Sequence, residues 1–223
     1  MNHKVSEKAY KGMGMEGFTA RWYASQTHKS LDEFKALARR TAGQISAGAS
    51  VLEIAPGPGY FAIELAKLGN YRVTGLDISR TLVDLARTNA AGAGVTVDFR
   101  QGDAAHMPFA SESFDFLLCR AAFKNFMEPL PALKEMYRVL KPGGRALIID
   151  LRRDASMQSI SQAVQGMHLG AVNALITRLT FRFMLLKRAY TRAEFEQLLA
   201  QTGFGPIDIR EDSIGLELAL TRA

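Results

Sequence analysis

The chain has 223 residues, 48% of them hydrophobic and 22% charged, enough for one large domain with a well-buried core. It contains no apolar run of membrane-spanning length, and its polar start, Met1 to Lys8, lacks the apolar stretch of a signal peptide. A single cysteine, Cys119, excludes an internal disulfide and a cysteine-built metal cluster and makes a reducing, cytoplasmic setting the expectation. The net charge of +6 arises from scattered Lys and Arg rather than a basic run interleaved with aromatics, so nucleic acid is not the expected partner.

Residues 1–45 read as an N-terminal arm followed by a helix. The arm carries the cluster Phe18 to Tyr23, in which Trp22 and Tyr23 are the candidates for a lid. The helix places Leu31, Phe34, Leu37 and Ala38 on one face. From residue 46 onward strands and helices alternate. A first strand at 50–55 breaks at Gly57-Pro58-Gly59 into a helix at 59–68 that stops at Gly69-Asn70. A second strand at 72–77 ends in Asp77, and Ser79 can cap a helix carrying Leu82, Val83, Leu85 and Ala86. A third strand at 95–100 leads to Gly102-Asp103-Ala104, and a fourth runs from Phe114 to Arg120. A helix at 129–140 stops at Lys141-Pro-Gly-Gly144 before a fifth strand, Arg145 to Asp150, which is apolar as a strand covered on both faces should be. Residues 155–188 form a mostly helical insertion rich in Met, Leu and Phe. Thr191 and Glu194 then match a capping box, opening a helix with Phe195, Leu198 and Leu199. Two last strands, 206–211 and 215–222, are joined so tightly that they should be antiparallel.

Alternating strands and helices mean βαβ units and a parallel sheet, with ligand bound beyond the carboxyl ends of the strands. Glu53 to Gly59, Asp77, Asp103 and Arg120 all fall at such ends. Glycines that let the backbone approach a ligand, beside a carboxylate at the end of the second strand, suit the adenosine half of a cofactor. Gly57-Pro-Gly-Tyr-Phe-Ala62 also fits the dinucleotide pattern G-x-G-x-x-A. A second acid at Asp103 favours a different adenosine cofactor, because a dinucleotide site does not need it. An NAD-dependent oxidoreductase would require a catalytic Tyr/Lys pair near the fourth strand.

The run Glu53-Ile-Ala-Pro-Gly-Pro-Gly59, then Gly75-Leu-Asp-Ile-Ser79, Gly102 to Phe109, Ser113-Phe-Asp115 and Arg138 to Gly144 resembles the class I S-adenosylmethionine-dependent methyltransferases. The resemblance is to the small-molecule branch that includes the ubiquinone/menaquinone-biosynthesis enzymes. It covers about residues 45–151 strongly. It implies an α/β fold, a Rossmann-like three-layer sandwich with a seven-stranded, mostly parallel sheet, an antiparallel last strand and a helical lid. It implies that Glu53, Gly57 and Gly59 shape the loop around the methionine part of S-adenosylmethionine. Asp77 would bind the ribose hydroxyls and Ile78 would pack on the adenine. Asp103 and Ala104 would meet the adenine edge, and Arg120 would lie near the methionine part and the mouth of the substrate pocket. Ala55 stands where the family usually has its first glycine, which is expected to shift the loop slightly.

Arg120 to Phe126 replaces a His-containing stretch common in this branch. Lys124 and Asn125 are therefore candidates to orient substrate, against the plainer reading that they cap a helix or face solvent. With Tyr23 and Arg120 they complete the substrate candidates. His3, His28, His106 and His168 show no ligand spacing, so no metal is expected. No residue declares itself as a catalytic base. The implied reaction is an in-line methyl transfer to a small, apolar or aromatic acceptor. An RNA methyltransferase and a non-catalytic binding module remain alternatives beside the NAD-dependent enzyme. The apolar segment 157–188, with its interspersed Arg and Lys, is open between a lid, a membrane-surface contact, a plain covering helix and an oligomer surface.

Overall fold

A computed structural model describes residues 10, 11, 14–166 and 170–223. His3, His168 and most of the arm before Gly14 lie outside the described residues. Seven strands form one sheet in the order β3-β2-β1-β4-β5-β7-β6. They are β1 (Ser50–Ile54), β2 (Arg72–Asp77), β3 (Asp98–Gln101), β4 (Phe114–Arg120), β5 (Leu140–Leu151), β6 (Phe204–Glu211) and β7 (Gly215–Arg222). β1 pairs in parallel with β2 and β4, and β4 with β5, whereas β7 runs antiparallel to both β5 and β6. The chain leaves β1 toward β2 on one side and returns on the other side at β4. The strand order reverses there, which opens a crevice at the carboxyl ends of β1 and β4.

The helices are α1 (Gly17–Thr27), α2 (Leu31–Ala42), α3 (Tyr60–Ala66), α4 (Arg80–Gly92), α5 (Pro129–Val139), α6 (Met157–Gln165), α7 (Ala171–Thr180) and α8 (Arg192–Leu199). The sheet has a core on each face. On one, Phe34, Leu37 and Ala38 of α2 join Phe61, Val83, Phe99 and Leu118. On the other, Leu133 and Met136 of α5 and Phe195 and Leu199 of α8 cover Leu117, Ile148 and Leu218. β1 is buried at Val51, Leu52, Glu53 and Ile54 in succession, the pattern of a strand covered on both faces. Among the described residues, no helix is long and apolar enough to cross a membrane.

Some details differ from the expectation. β3 begins at Asp98 rather than 95, because the Val95 amide still donates to the Ala90 carbonyl (3.1 Å) in the cap of α4. The Lys141 to Gly144 stop is not a separate loop but a bulge inside β5, where the register with β4 jumps from Phe114↔Leu140 to Phe116↔Arg145. The mostly helical insertion consists of separate pieces. α6 and α7 are followed by a wider π turn at Phe181–Leu185, and together they bury a small core of Ala155, Ile160, Val164 and Leu186.

Candidate functional site

A cleft opens at the crevice. Its lining comes from the ends of β1 (Ile54, Ala55, Gly57), β2 (Asp77, Ile78) and β4 (Arg120 to Ala122), from Gly102 to Ala104, from Asn125 and Phe126, and from the arm (Tyr10, Met15, Tyr23). The loop after β1 needs left-handed backbone at Ala55 (φ 55°), Gly57 (φ 56°) and Gly59 (φ 81°). At Gly59 a Cβ would also stand 2.6 Å from Cζ of Phe99, so this glycine sets how closely α3 packs on the sheet and does not itself line the cleft. At Gly57 a Cβ would stand 3.3 Å from the Tyr23 ring, so the loop and the arm close on one another there.

Asp77 is buried, and its carboxylate ties this loop to the next. One oxygen accepts from the Gly57 amide (3.0 Å) and the other from the Ser79 amide (2.9 Å). Burial pushes its pKa up to about 6, against the pull of those two donors. Glu53 is 3% exposed and stands behind the loop, where its carboxylate accepts from the Ala62 amide (3.1 Å). Burial raises its pKa to about 8 despite that donor and the charge of Arg120. Asp103 accepts from the Ala105 amide (2.9 Å) with its side chain facing the cleft beside Ala104. Asp103, His106 and Glu128 bring ligand atoms within 4.8 Å of one another, but His106 and Glu128 are exposed, a surface grouping rather than a cage.

Arg120 lines the cleft and is held from outside. It donates to Glu33 of α2 (2.6 Å) and lies 4.4 Å over the Phe34 ring. Lys124 is not in the lining, and neither expectation for it holds. It is buried, its ammonium donates to Asp150 of β5 (2.9 Å) and to the Ala121 carbonyl, and its amide donates to the other Asp150 oxygen (2.9 Å). That pair fixes the turn after β4, where Ala121 has φ 57°, and so holds Asn125 in the cleft wall. The two lid candidates also part company: Tyr23 faces the cleft, whereas Trp22 is 58% exposed and outside the lining. Tyr10 and Met15 take the place expected for Trp22. They carried no sequence signal, because the arm has no periodicity there.

Tyr10 is paired across the cleft mouth with Phe126, and the neighbouring Lys11 amide donates to the Asn125 carbonyl (2.8 Å). Burial pushes the Tyr10 hydroxyl up to about 12 and raises that of Tyr23 as well. The chain's one Tyr-x-x-x-Lys spacing, Tyr137 to Lys141, lies beside the start of β4, the end away from the cleft. Tyr137 packs edge-on against Phe204, and Lys141 is paired with Asp115 (2.8 Å).

With this geometry in place, the comparisons with known proteins are specific. Residues 52–148 match the protein-family profile described as a methyltransferase domain. The demethylmenaquinone methyltransferase of Deinococcus radiodurans is 38% identical over 107 residues, 48% of this chain and 44% of that protein. The same-named protein of Chlorobaculum parvum is 31% identical over 160 residues, 69% of this chain and 65% of that protein. A solved S-adenosylmethionine-dependent methyltransferase from Aquifex aeolicus superposes with a TM-score of 0.64 at 18% identity, over 86% of this chain and 98% of that one.

Residues 52–148 carry the pattern of a methyltransferase domain, and the fold is shared with a solved S-adenosylmethionine-dependent methyltransferase. The matched part spans 44% and 65% of the two curated relatives. Within the methyltransferase domain lie the β1 loop, Asp77, Asp103 and Arg120, whereas the arm that covers the cleft falls outside the matched residues.

Proposed function

We propose that this protein transfers the methyl group of S-adenosylmethionine to a small, apolar or aromatic acceptor. One observation carries the reading: a buried carboxylate, Asp77, bound to the Gly57 amide in a cleft that an apolar arm covers. The residues suit that cofactor. Gly57 leaves room where a side chain would meet Tyr23, Asp77 offers hydroxyl-binding oxygens in a dry setting, and Ile78 supplies an apolar surface for a base.

In this reading Asp77 accepts from the ribose hydroxyls, Ile78 packs on the adenine, and Asp103 and Ala104 meet the adenine edge. Ala55, Gly57 and Gly59 shape the loop around the methionine part, with Glu53 bracing it through the Ala62 amide. Arg120, Asn125 and Tyr23 face the acceptor. S-Adenosylmethionine supplies a methyl on a sulfonium whose leaving group departs neutral, as S-adenosylhomocysteine. The chain's own task is to hold the acceptor in line and keep water out, and such positioning is worth on the order of 7–11 kcal/mol in the best intramolecular cases. Tyr10, Met15 and Tyr23 exclude water from above. With its pKa raised to about 12, Tyr10 stays protonated, so it can donate a hydrogen bond to an acceptor oxygen but does not take its proton.

The demethylmenaquinone methyltransferases among the relatives act on a quinone, which supports an aromatic, apolar acceptor. An RNA acceptor is disfavoured because the lining sets two acids, Asp77 and Asp103, against one cation, Arg120. We further assign residues 1–45 as arm and helix, 46–223 as the methyltransferase domain and 155–188 as its insertion. Titration calorimetry with S-adenosylmethionine, run beside NAD+, tests the reading. Binding of the first alone is expected; binding of NAD+ alone would overturn it.

A further inference from the structure

We propose that the outer face of α7 and the π turn docks on a lipid bilayer with acidic headgroups, lying in its surface and not crossing it. Five of the eleven large apolar side chains exposed among the described residues fall within ten positions: Leu175, Ile176, Leu179, Phe183 and Met184. All are at least 46% exposed. They are not the residues that fold the segment. Ala174 and Phe181, on the inner side, pack against the small core of Ile160, Val164 and Leu186. The outer face is left as an apolar stripe with none of the described residues over it.

The charge around the stripe selects the occupant. From Ala155 to Ala193 there is no Asp or Glu, while Arg178, Arg182 and Lys187 lie along the stripe; Arg188 is turned to the Lys11 carbonyl and Arg192 is paired with Glu196. Arg182 and Lys187 flank Phe183 and Leu186 in one surface groove, which puts cationic heads beside an apolar floor. An apolar face rimmed by cations, with no acid in its own segment, fits the boundary between acyl chains and acidic headgroups. It does not suit a second copy of this chain, because a two-fold contact would set the same cations against themselves.

The face also adjoins the cleft. Arg188 donates to the Lys11 carbonyl (2.9 Å) and Lys11 to the Tyr190 hydroxyl (3.1 Å), and the neighbouring Tyr10 lines the cleft mouth. A docked protein would therefore present its covered mouth toward the lipid. Docking itself does not depend on the methyl-transfer reading, and its test uses neither cofactor nor acceptor.

The test is co-sedimentation of the whole chain with phosphatidylcholine vesicles, with and without phosphatidylserine, beside sedimentation velocity in the absence of lipid. The protein is expected to pellet with the acidic vesicles alone, and less so as salt rises. Each cation near such a surface contributes about fivefold in partitioning, so Arg182→Gln/Lys187→Gln should weaken binding by about tenfold or more. Leu179→Ser/Phe183→Ser, at exposed sites, should do the same with unchanged melting. The proposal is overturned by no pelleting with acidic vesicles, by binding that both variants leave intact, or by a dimer that only the Leu179→Ser/Phe183→Ser protein fails to form.

Discussion

Asp77 binds main-chain donors on both sides, Gly57 and Ser79, and burial still raises its pKa to about 6. A group in that position titrates close to working pH. In the proposed site it would accept from ligand hydroxyls when ionised and lose part of that capacity when protonated. S-Adenosylmethionine affinity should therefore fall as pH drops below about 6. Asp77→Asn should bind about ten- to hundredfold more weakly at neutral pH, from a charged hydrogen bond worth about 1.5–3 kcal/mol, and should lose that pH dependence. Calorimetry across this range reads both effects, and an Asp77→Ala protein that binds normally would remove Asp77 from the site.

Ala55 makes a contrasting case. Its place in the glycine motif was visible in the sequence, but its φ of 55° was not. A left-handed alanine costs about 1–2 kcal/mol, and glycine gives back about 0.4–1 kcal/mol through the unfolded chain. Ala55→Gly should thus melt slightly above wild type, and Gly59→Ala well below it. Gly59 has φ 81° and Phe99 2.6 Å from the added Cβ, so the loss should be about 2 kcal/mol or more, measured by denaturant titration.

At the scale of elements, the arm is the part that was least legible. Sequence marks Ser79 as the cap of α4, and its hydroxyl does accept from the Leu82 amide (3.1 Å). It gives no sign that Glu16, far upstream, caps the same turn by accepting from the Arg80 (2.8 Å) and Thr81 (3.1 Å) amides. Such a contact has no period and no local spacing. The split between Trp22 and Tyr23 was open to reasoning, since adjacent residues on a helix point about 100° apart and cannot both face one cleft. Lys124 was also half legible: a lone cation between Phe123 and Phe126 suggests burial, but its partner Asp150 comes from a neighbouring strand. Glu16 clamps the arm over the cleft, so Glu16→Ala should loosen the cover more than the fold. The loss of a cap is worth about 1 kcal/mol, so bound S-adenosylmethionine should dissociate about fivefold faster in stopped flow with little change in melting temperature.

For the whole molecule, the alternation of strands and helices and the rim of motifs were readable because each βαβ unit carries its own pattern; the strand order and the protonation of that rim were not, because they depend on layers packed later. Glu53 is dry only once α3 and the sheet close over it, and the folded state then holds its proton up to about pH 8. The unfolded chain releases that proton near pH 4.5, the ordinary value for the group. Between those two values the folded state binds more protons than the unfolded, so this group makes stability fall as pH rises through the window and withholds its full penalty only at the acid end. Asp77 acts in the same direction between 3.8 and about 6. A chain with a net charge of +6 should show an opposing trend, since its self-repulsion relaxes as pH rises toward its isoelectric point. A wild-type melting curve mixes the two, whereas a variant separates them. Glu53→Gln keeps an oxygen for the Ala62 amide and removes the titration. Its melting temperature should match wild type near the acid end of the window and exceed it by on the order of 5 °C at the alkaline end, from about 2 kcal/mol in a domain of this size. A gap that stayed constant across the window would show that Glu53 ionises as an ordinary carboxylate and that water reaches it behind the loop.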